Sequence, residues 1–211
     1  MALTVDRYEL GAAATNCYLV RRGPDAREAV FIDPGADAPG LLQELSAREA
    51  ACAGILITHT HWDHLGAVAD LADDTGASVY MPSIEAVVLA RPQDFFPGIE
   101  IRPYEADVLL EGGETLELAG ITFETVRVPG HSPGHLAYAA DGALFSGDVL
   151  FAGSVGRTDL PFTDWGTLVE SIRVLMARFP PDTVVYPGHG PETTLGAELA
   201  HNPFLTELRA S

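Results

Sequence analysis

Basic residues are scarce in this sequence. It contains 12 lysine and arginine residues against 30 aspartate and glutamate residues, which gives a net charge of −18 at pH 7. Nucleic acids and anionic membranes are bound mainly through an excess of positive charge. We therefore expect neither as a partner, and an anionic substrate would need a local basic pocket.

Cysteine is also rare, with Cys17 and Cys52 far apart in the chain and each inside an apolar run. Disulfide frameworks need more cysteines, and thiolate metal sites usually carry them at C-x-x-C spacing. Free cysteine is among the residues most often buried, so we expect two buried, reduced thiols.

Long hydrophobic runs are missing. A membrane-spanning helix needs about 20 apolar residues, and no run in this sequence approaches that length. The N-terminal stretch MALTVDRYELG reaches Asp6 and Arg7 before an apolar run develops, which is not the pattern of a signal peptide. We expect a cytoplasmic protein.

The remaining composition is ordinary for a folded protein, with 47% hydrophobic and 20% charged residues over 211 positions. Short β-type runs alternate with helical patterns in both halves, without a linker, repeat or low-complexity tract. We predict one α/β domain over residues 1–211, in which helices cover the outer faces of sheets. Helices are predicted near residues 41–45, 65–76, 84–90 and 165–178 and from residue 195 onward, with an irregular stretch over residues 91–107.

Residues 55–68, ILITHTHWDHLGAV, concentrate histidine directly after an apolar run. His59 and His61 are two positions apart, so in an extended segment their side chains point to the same side. Asp63 and His64 follow where the chain must turn, and such strand ends deliver functional groups to one edge of a sheet. Imidazole and carboxylate groups suit zinc, iron, manganese or a similar divalent ion.

Three further candidates also follow β-type runs. His131 lies in VPGHSPGH after TFETVRV, Asp148 lies in LFSGDVLF, and His189 lies in VVYPGHG after TVVY. Each alone has an ordinary explanation, such as a loop or capping histidine or an Asx-turn aspartate. Together, six of the seven histidines fall in three strand-end loops and a carboxylate occupies a fourth, which favours a divalent-metal site.

Two histidines receive other interpretations. His135 opens the strand after His131, so we expect it to form hydrogen bonds behind the ligands rather than to bind a metal. His201, in the closing helix, is interpreted as a surface or capping residue.

The motif His59-x-His61-x-Asp63-His64, followed by His131, Asp148 and His189, resembles the metallo-β-lactamase-fold superfamily, from FIDPG at Phe31 to GHGPETT at Gly188. The resemblance implies a four-layer αββα sandwich with the metals at one edge, between the two sheets. It implies that Asp33 supports the ligand loops. It further implies that one ion binds His59, His61 and His131, that a second binds Asp63, His64 and His189, and that Asp148 bridges both.

Within the superfamily, GDVLFAGSVGRTDLP and GHGPETTLGAELAHNPFL are similar to glyoxalase II, the hydroxyacylglutathione hydrolases, in a short single-domain branch. Asp148 stands where true β-lactamases of this fold commonly carry a cysteine ligand, which argues against antibiotic hydrolysis. The resemblance implies two divalent ions, with zinc as the first expectation and iron or manganese as alternatives.

This site predicts hydrolysis of a small-molecule hydroxyacyl thioester such as S-lactoylglutathione. Two ions about 3.5–4 Å apart can share a hydroxide that attacks the carbonyl carbon, and a thiolate leaves without a strong general acid. The resemblance implies that the catalytic residues are Asp63 and Asp148, either of which would hold and orient the proton of the hydroxide. No G-x-S-x-G nucleophile motif is present, since AGSVG has Ala152 at the position of the first glycine.

Substrate-binding residues are harder to predict. Arg157, soon after Asp148, is the candidate for bidentate binding of a substrate carboxylate, with an ion pair to Asp159 as the alternative. Phe95, Phe96 and Tyr104 either overhang the site or form a satellite hydrophobic cluster under a long loop.

Other activities share this residue pattern. By resemblance, a mononuclear iron persulfide dioxygenase would bind its iron through His59, His131 and Asp148, and the same ligand types serve zinc or iron. A lactonase or phosphodiesterase is a third class. The sequence leaves the oligomeric state open.

Overall fold

The computed structural model describes residues 3–209, and the strands of this region form two six-stranded sheets and one two-stranded hairpin. The first sheet follows chain order and consists of β1 (Thr4–Leu10), β2 (Thr15–Arg21), β3 (Glu28–Ile32), β4 (Ala51–Leu56), β5 (Val79–Pro82) and β6 (Val108–Leu110). The second sheet consists of β7 (Thr115–Leu118), β8 (Ile121–Arg127), β9 (Leu136–Ala140), β10 (Ala143–Gly147), β13 (Val184–Pro187) and β14 (Thr193–Thr194). Its spatial order is β14-β13-β10-β9-β8-β7. The hairpin pairs β11 (Leu150–Phe151) with β12 (Ser154–Val155).

The helices are α1 (Ala38–Ala47), α2 (Val68–Thr75), α3 (Ala86–Ala90), α4 (Pro92–Phe95), α5 (Trp165–Arg178), α6 (Leu195–His201) and α7 (Thr206–Arg209). The longest of these, α5, has the bounds that the sequence predicts. Its first turn is capped by Asp164, whose side chain accepts a hydrogen bond from the Thr167 N–H at 2.7 Å.

Two local predictions were wrong. The helix predicted from residue 65 begins at Val68, because the Gly66 and Ala67 N–H groups bond to the carbonyls of Gly35 and Pro34 instead. A short 3-10 turn, Trp62–His64, precedes it. The stretch 91–107, predicted to be irregular, contains α4, and the strand β6 directly after it was missed.

Three apolar clusters divide the fold into layers. One lies between the first sheet and α1–α3, and one lies between the second sheet and α5–α6. The third lies between the two sheets and includes the fully buried Phe123, Tyr138 and Phe145. Helices therefore cover the outer face of each sheet, which is the predicted αββα sandwich.

The strand directions decide where the loops meet. β3 runs parallel to β4, and β10 runs parallel to β13, so the carboxyl ends of these strands lie at a common edge. Hydrogen bonds between the sheets hold this edge closed. The Tyr138 hydroxyl donates to the Ile57 carbonyl at 2.8 Å, and the Tyr18 hydroxyl donates to the Pro187 carbonyl at 2.6 Å.

Within residues 3–209, no helix is long and apolar enough to cross a bilayer. Both cysteines are free. Cys17 is buried as predicted, whereas Cys52 is only half-buried.

Phe123→Ala should lower the free energy of unfolding by about 3–5 kcal/mol, because it removes a fully buried ring from between the two sheets. Phe162, whose side chain is 85% exposed, provides the matched control, and Phe162→Ala should change stability by less than about 0.5 kcal/mol. Denaturant unfolding of the metal-free chains measures both. An equal loss of unfolding free energy in the two variants would show that the apolar cluster between the sheets does not stabilise the fold.

Candidate metal centre

Four loops bring the predicted ligands to one edge of the molecule. The loops follow β4, β8, β10 and β13. In three groups of side chains, the potential ligand atoms lie within 4.8 Å of one another; one of them combines Asp33 with His59 and His64, and the other two contain the predicted ligands. These two groups are His59, His61, His131 and Asp148, and Asp63, His64 and His189. The structure thus brings together all seven predicted ligands, and their binding of metal stays a prediction.

Residues 58–61 alternate threonine and histidine, and the threonines fix the histidines in place. Asp33 accepts hydrogen bonds from both the Thr58 N–H at 2.8 Å and the Thr58 hydroxyl at 2.7 Å. Because its oxygens are used in this way, Asp33 supports the loop, which is the role that the resemblance implies.

Hydrogen bonds also fix the tautomers of two histidines. The Thr58 hydroxyl has one proton, which it donates to Asp33, so it accepts from His59 Nδ1 at 3.0 Å. His131 Nδ1 donates to the Arg157 carbonyl at 2.9 Å. With its proton on Nδ1, neutral His59 has no proton on Nε2. The Nε2 atoms of His59 and His131 lie 3.1 and 2.9 Å from Nδ1 of His61.

The second group surrounds one side of Asp148. His189 Nε2 lies 3.3 Å from Asp63 Oδ2 and 3.4 Å from Asp148 Oδ2. His64 Nε2 lies 3.6 Å from Asp63 Oδ2 and 3.5 Å from Asp148 Oδ1. The Thr15 hydroxyl donates to Asp63 and holds its carboxylate in this position.

Asp148 lies between the two groups. Its Oδ2 is also 3.4 Å from His131 Nε2. Its backbone N–H donates to His135 Nε2 at 3.1 Å, and His135 Nδ1 donates to the Leu136 carbonyl. Both ring nitrogens of His135 are therefore used in hydrogen bonds, as predicted. A Cβ on Gly188 would lie 2.0 Å from Asp148 Oδ1, so only glycine permits the loop after β13 to approach this closely.

Burial keeps His59 and His61 neutral. Burial and the neighbouring His64 hold the pKa of His59 well below its ordinary value. Burial and the neighbouring His131 lower the pKa of His61 to about 4. These rings therefore offer lone pairs at neutral pH.

Charge dominates the second group. Burial opposes ionisation of Asp148, but the charge of His64 and hydrogen bonds from His131 and His189 hold its pKa well below the ordinary value. Burial likewise opposes charge on His64, but Asp148 and Asp33 raise its pKa. Hydrogen bonds to Asp148 and Asp63 raise the pKa of His189 to about 10. In the metal-free chain, protons on His64 and His189 thus offset the buried carboxylates.

The residues present fit divalent cations. Among the buried atoms of residues 3–209, His64 Nε2 and Asp148 Oδ1 have no hydrogen-bond partner, although they lie only 3.5 Å apart. Buried polar atoms are normally satisfied, so both indicate a missing partner. Three imidazole nitrogens converge beside them, and nitrogen and carboxylate donors together suit zinc or iron.

The side chains predicted to bind substrate make other contacts in the structure. Arg157 forms a bidentate ion pair with Asp159, at 2.7 and 2.9 Å, which is the alternative given for it, and both side chains are exposed. Phe96 and Tyr104 pack against the cluster beneath the first sheet, whereas Phe95 is exposed. This arrangement agrees with the satellite-cluster interpretation.

His201 lies exposed at the end of α6, away from the cluster, as predicted. Sequence reasoning missed Thr15 and Glu85, which bind the ligand loops. The alternation of threonine with histidine over residues 58–61 could have indicated that Thr58 and Thr60 donate hydrogen bonds to partners elsewhere in the chain. Neither Thr15 nor Glu85 has a local pattern that could have identified it.

Comparison with known proteins agrees with this geometry. The sequence matches the family model described as the metallo-beta-lactamase superfamily over residues 10–189. Hydroxyacylglutathione hydrolase GloC from Haemophilus influenzae is 34% identical, with 96% of this chain and 98% of the relative covered.

Two solved structures are similar to nearly the whole chain. One is BLEG-1 B3 metallo-beta-lactamase, with a TM-score of 0.89, 38% identity, and 96% of this chain and 100% of the other covered. The other is TTHA1623 in a di-iron-bound form, with a TM-score of 0.85, 40% identity, and 95% and 100% covered. The family match, the sandwich of two helix-covered sheets and the cluster of histidines and aspartates lead to one assignment. The chain belongs to the metallo-β-lactamase superfamily.

Proposed function

We propose that the chain is a metal-dependent hydrolase that holds two divalent ions and cleaves a hydroxyacyl thioester of glutathione or of a similar small thiol. The observation that carries this proposal is the position of Asp148, whose carboxylate lies 3.4–3.5 Å from histidine nitrogens of both ligand groups. A shared carboxylate between two sets of ligands is what a two-metal site requires. The name of the Haemophilus influenzae relative supports the thioester substrate.

The proposed ligands divide as the two groups do. His59, His61 and His131 would hold one ion, and Asp63, His64 and His189 would hold the other, with Asp148 between them. Ions bound there would supply a Lewis acid for the carbonyl oxygen and lower the pKa of an attacking water.

The protein's own side chains orient the reactants. Asp63, held by Thr15, and Asp148, held through its backbone by His135, are placed to accept and orient the proton of the attacking water. The substrate would enter from the side of His61, Asp63 and His189, since these are half-buried while the other ligands are buried. A thioester suits this site because a thiolate leaves without protonation by a general acid.

Zinc is the proposed metal. Iron is the main alternative, because the similar structure TTHA1623 is a di-iron-bound form. A single-domain organisation over residues 1–211 and a cytoplasmic location also stay predictions.

A second candidate is β-lactam hydrolysis. It is favoured by the likeness to BLEG-1, which is named a B3 metallo-beta-lactamase. The expectation against antibiotic hydrolysis, drawn from Asp148, therefore stays a prediction that needs a direct test.

One experiment separates the candidates. Metal content per chain should be measured by mass spectrometry, and the same sample should be assayed for lactoyl-thioester hydrolysis, β-lactam hydrolysis and persulfide-dependent oxygen uptake. Two ions per chain with thioester turnover would support the proposal. Oxygen uptake with a single iron, or turnover of the β-lactam alone, would overturn it.

His189→Ala should reduce thioester hydrolysis by more than about 100-fold, the upper end of the loss seen when a residue that only supports a ligand is removed. The variant removes one of the three side chains proposed for the second ion alone, beside the shared Asp148. Its metal content should therefore fall toward one ion per chain. His201→Ala, which alters an exposed histidine outside the site, is the control and should match the wild type. Full activity in His189→Ala would instead favour a mononuclear enzyme.

Metal binding at pH 7 should release at least two protons per chain. His64 has a raised pKa and His189 has a pKa of about 10, so both carry a proton that a metal ion must displace. Lowering the pH should therefore weaken binding, roughly tenfold per pH unit for each displaced proton. Calorimetry in buffers of different ionisation enthalpy counts the protons. His189→Ala, which should bind only about one ion per chain, should release fewer protons than the wild type, and binding without proton release in the wild type would contradict the assignment.

A further inference from the structure

Glu85 is a buried acid that binds both ligand-bearing loops. It closes the 3-10 turn Ser83–Glu85 after β5 and is only 4% exposed. One carboxylate oxygen accepts from the Thr60 N–H at 2.9 Å and from the Thr60 hydroxyl at 2.8 Å. The other accepts from the Gly134 N–H at 2.7 Å.

The two partners come from different sheets. Thr60 lies between His59 and His61 in the loop after β4 of the first sheet. Gly134 lies between His131 and β9 of the second sheet. Glu85 thus joins the two loops that bring the Nε2 atoms of His59 and His131 to 3.1 and 2.9 Å from His61 Nδ1.

The approach of the second loop is unusually close. A Cβ on Gly134 would lie 3.0 Å from Glu85 Cγ and 2.2 Å from Ile84 Cγ2. The loop after β8 therefore reaches the Ser83–Glu85 turn only because residue 134 has no side chain. This contact is independent of the hydrogen bonds and indicates that the distance between the loops is tightly set.

Only a carboxylate satisfies this arrangement. All three partners are donors, and an ionised carboxylate is purely an acceptor. A glutamine would turn its NH₂ group toward at least one donor and leave that buried group unsatisfied. The contact therefore favours glutamate specifically rather than a polar residue of similar size.

We infer that Glu85 is a positioning residue that sets the distance between the His59–His61 loop and the His131 loop, and thereby the affinity of the first metal ion. The inference rests on the proposed metal centre. Asp33 performs a related task within the first sheet, where it binds Thr58 and lies 3.1 Å from His64 Nδ1. Glu85 extends the support across the gap between the sheets.

The chain offers a matched control in Glu198. It is equally buried, at 5% exposed, and also accepts three hydrogen bonds, from the Gly153 N–H, the Thr193 hydroxyl and the Asn202 amide. These partners lie in the β11–β12 hairpin and near α6, and none of them is adjacent to a proposed ligand. Glu198→Gln therefore reproduces the loss of a buried acceptor without altering the ligand loops.

The test compares zinc affinity in Glu85→Gln, Glu198→Gln and the wild type, by competition with a chelator of known affinity. Both variants should lower the melting temperature of the metal-free chain, Glu198→Gln by less, because the Thr193 hydroxyl can accept a hydrogen bond from the new amide. Only Glu85→Gln should weaken binding of the first ion, by about 10- to 100-fold, the range for residues that orient metal ligands. The d–d absorption of the cobalt-substituted protein should also change in Glu85→Gln alone.

Thr60→Val provides a milder second variant should Glu85→Gln fail to fold. It removes the hydroxyl donor, keeps the N–H bond to Glu85, and should weaken the first ion by a smaller factor. Unchanged zinc affinity in both variants, or an equal loss in Glu198→Gln, would overturn the inference.

These outcomes are separable from the proposed function. Loss of zinc affinity in Glu85→Gln without thioester turnover in the wild type would retain the inference and reject the substrate. Thioester turnover with two ions per chain, together with unchanged zinc affinity in Glu85→Gln, would support the proposed function and reject the inference about Glu85.

Discussion

Mutual repulsion at the ligand edge is the constraint on which the rest of this structure depends. The Nε2 atoms of His59 and His131 lie 3.1 and 2.9 Å from His61 Nδ1, and His189 Nε2 lies 3.3 and 3.4 Å from carboxylate oxygens of Asp63 and Asp148. Such groups separate unless a cation lies among them or the surrounding chain holds them in place. The two-sheet architecture holds these groups in place, because ligands on loops of different strands cannot move apart without moving a packed sheet. In the metal-free chain, the protons on His64 and His189 supply part of the positive charge that a cation would provide.

The supporting hydrogen bonds form a second layer behind the ligands. Asp33, Thr15, His135 and the Arg157 carbonyl each bind a ligand or its immediate neighbour, and each sets a tautomer or a side-chain direction. Removing such a partner typically lowers metal affinity or activity by about 10- to 100-fold. Buried charge of this kind destabilises a metal-free fold, so on the proposed assignment metal binding would stabilise the folded chain.

Much of the fold and of the candidate site could be predicted because the signals are local. The helix Trp165–Arg178 follows a capping aspartate, and the ligands follow β-type runs beside glycine or proline. Long-range contacts were not predictable in this way. The start of α2 depends on hydrogen bonds to Pro34 and Gly35, some 30 positions earlier, and Glu85 binds residues 25 and 49 positions away. The three-residue strand β6 is too short for a periodic pattern to reveal it.

Unequal exposure of the two ligand groups has a consequence for how the protein responds to metal supply. In the first group three of the four side chains are buried and only His61 is half-buried, whereas in the second group only His64 is buried and the side chain of His189 is 31% exposed. On the proposed assignment, the second ion, held by Asp63, His64 and His189, would exchange with the surroundings more readily than the first ion. Its binding would also have to displace protons. Under scarcity the chain would keep one ion and lose the other. Local metal abundance would then set the ratio of singly to doubly loaded molecules, and with it the chemistry that a population of this protein carries out.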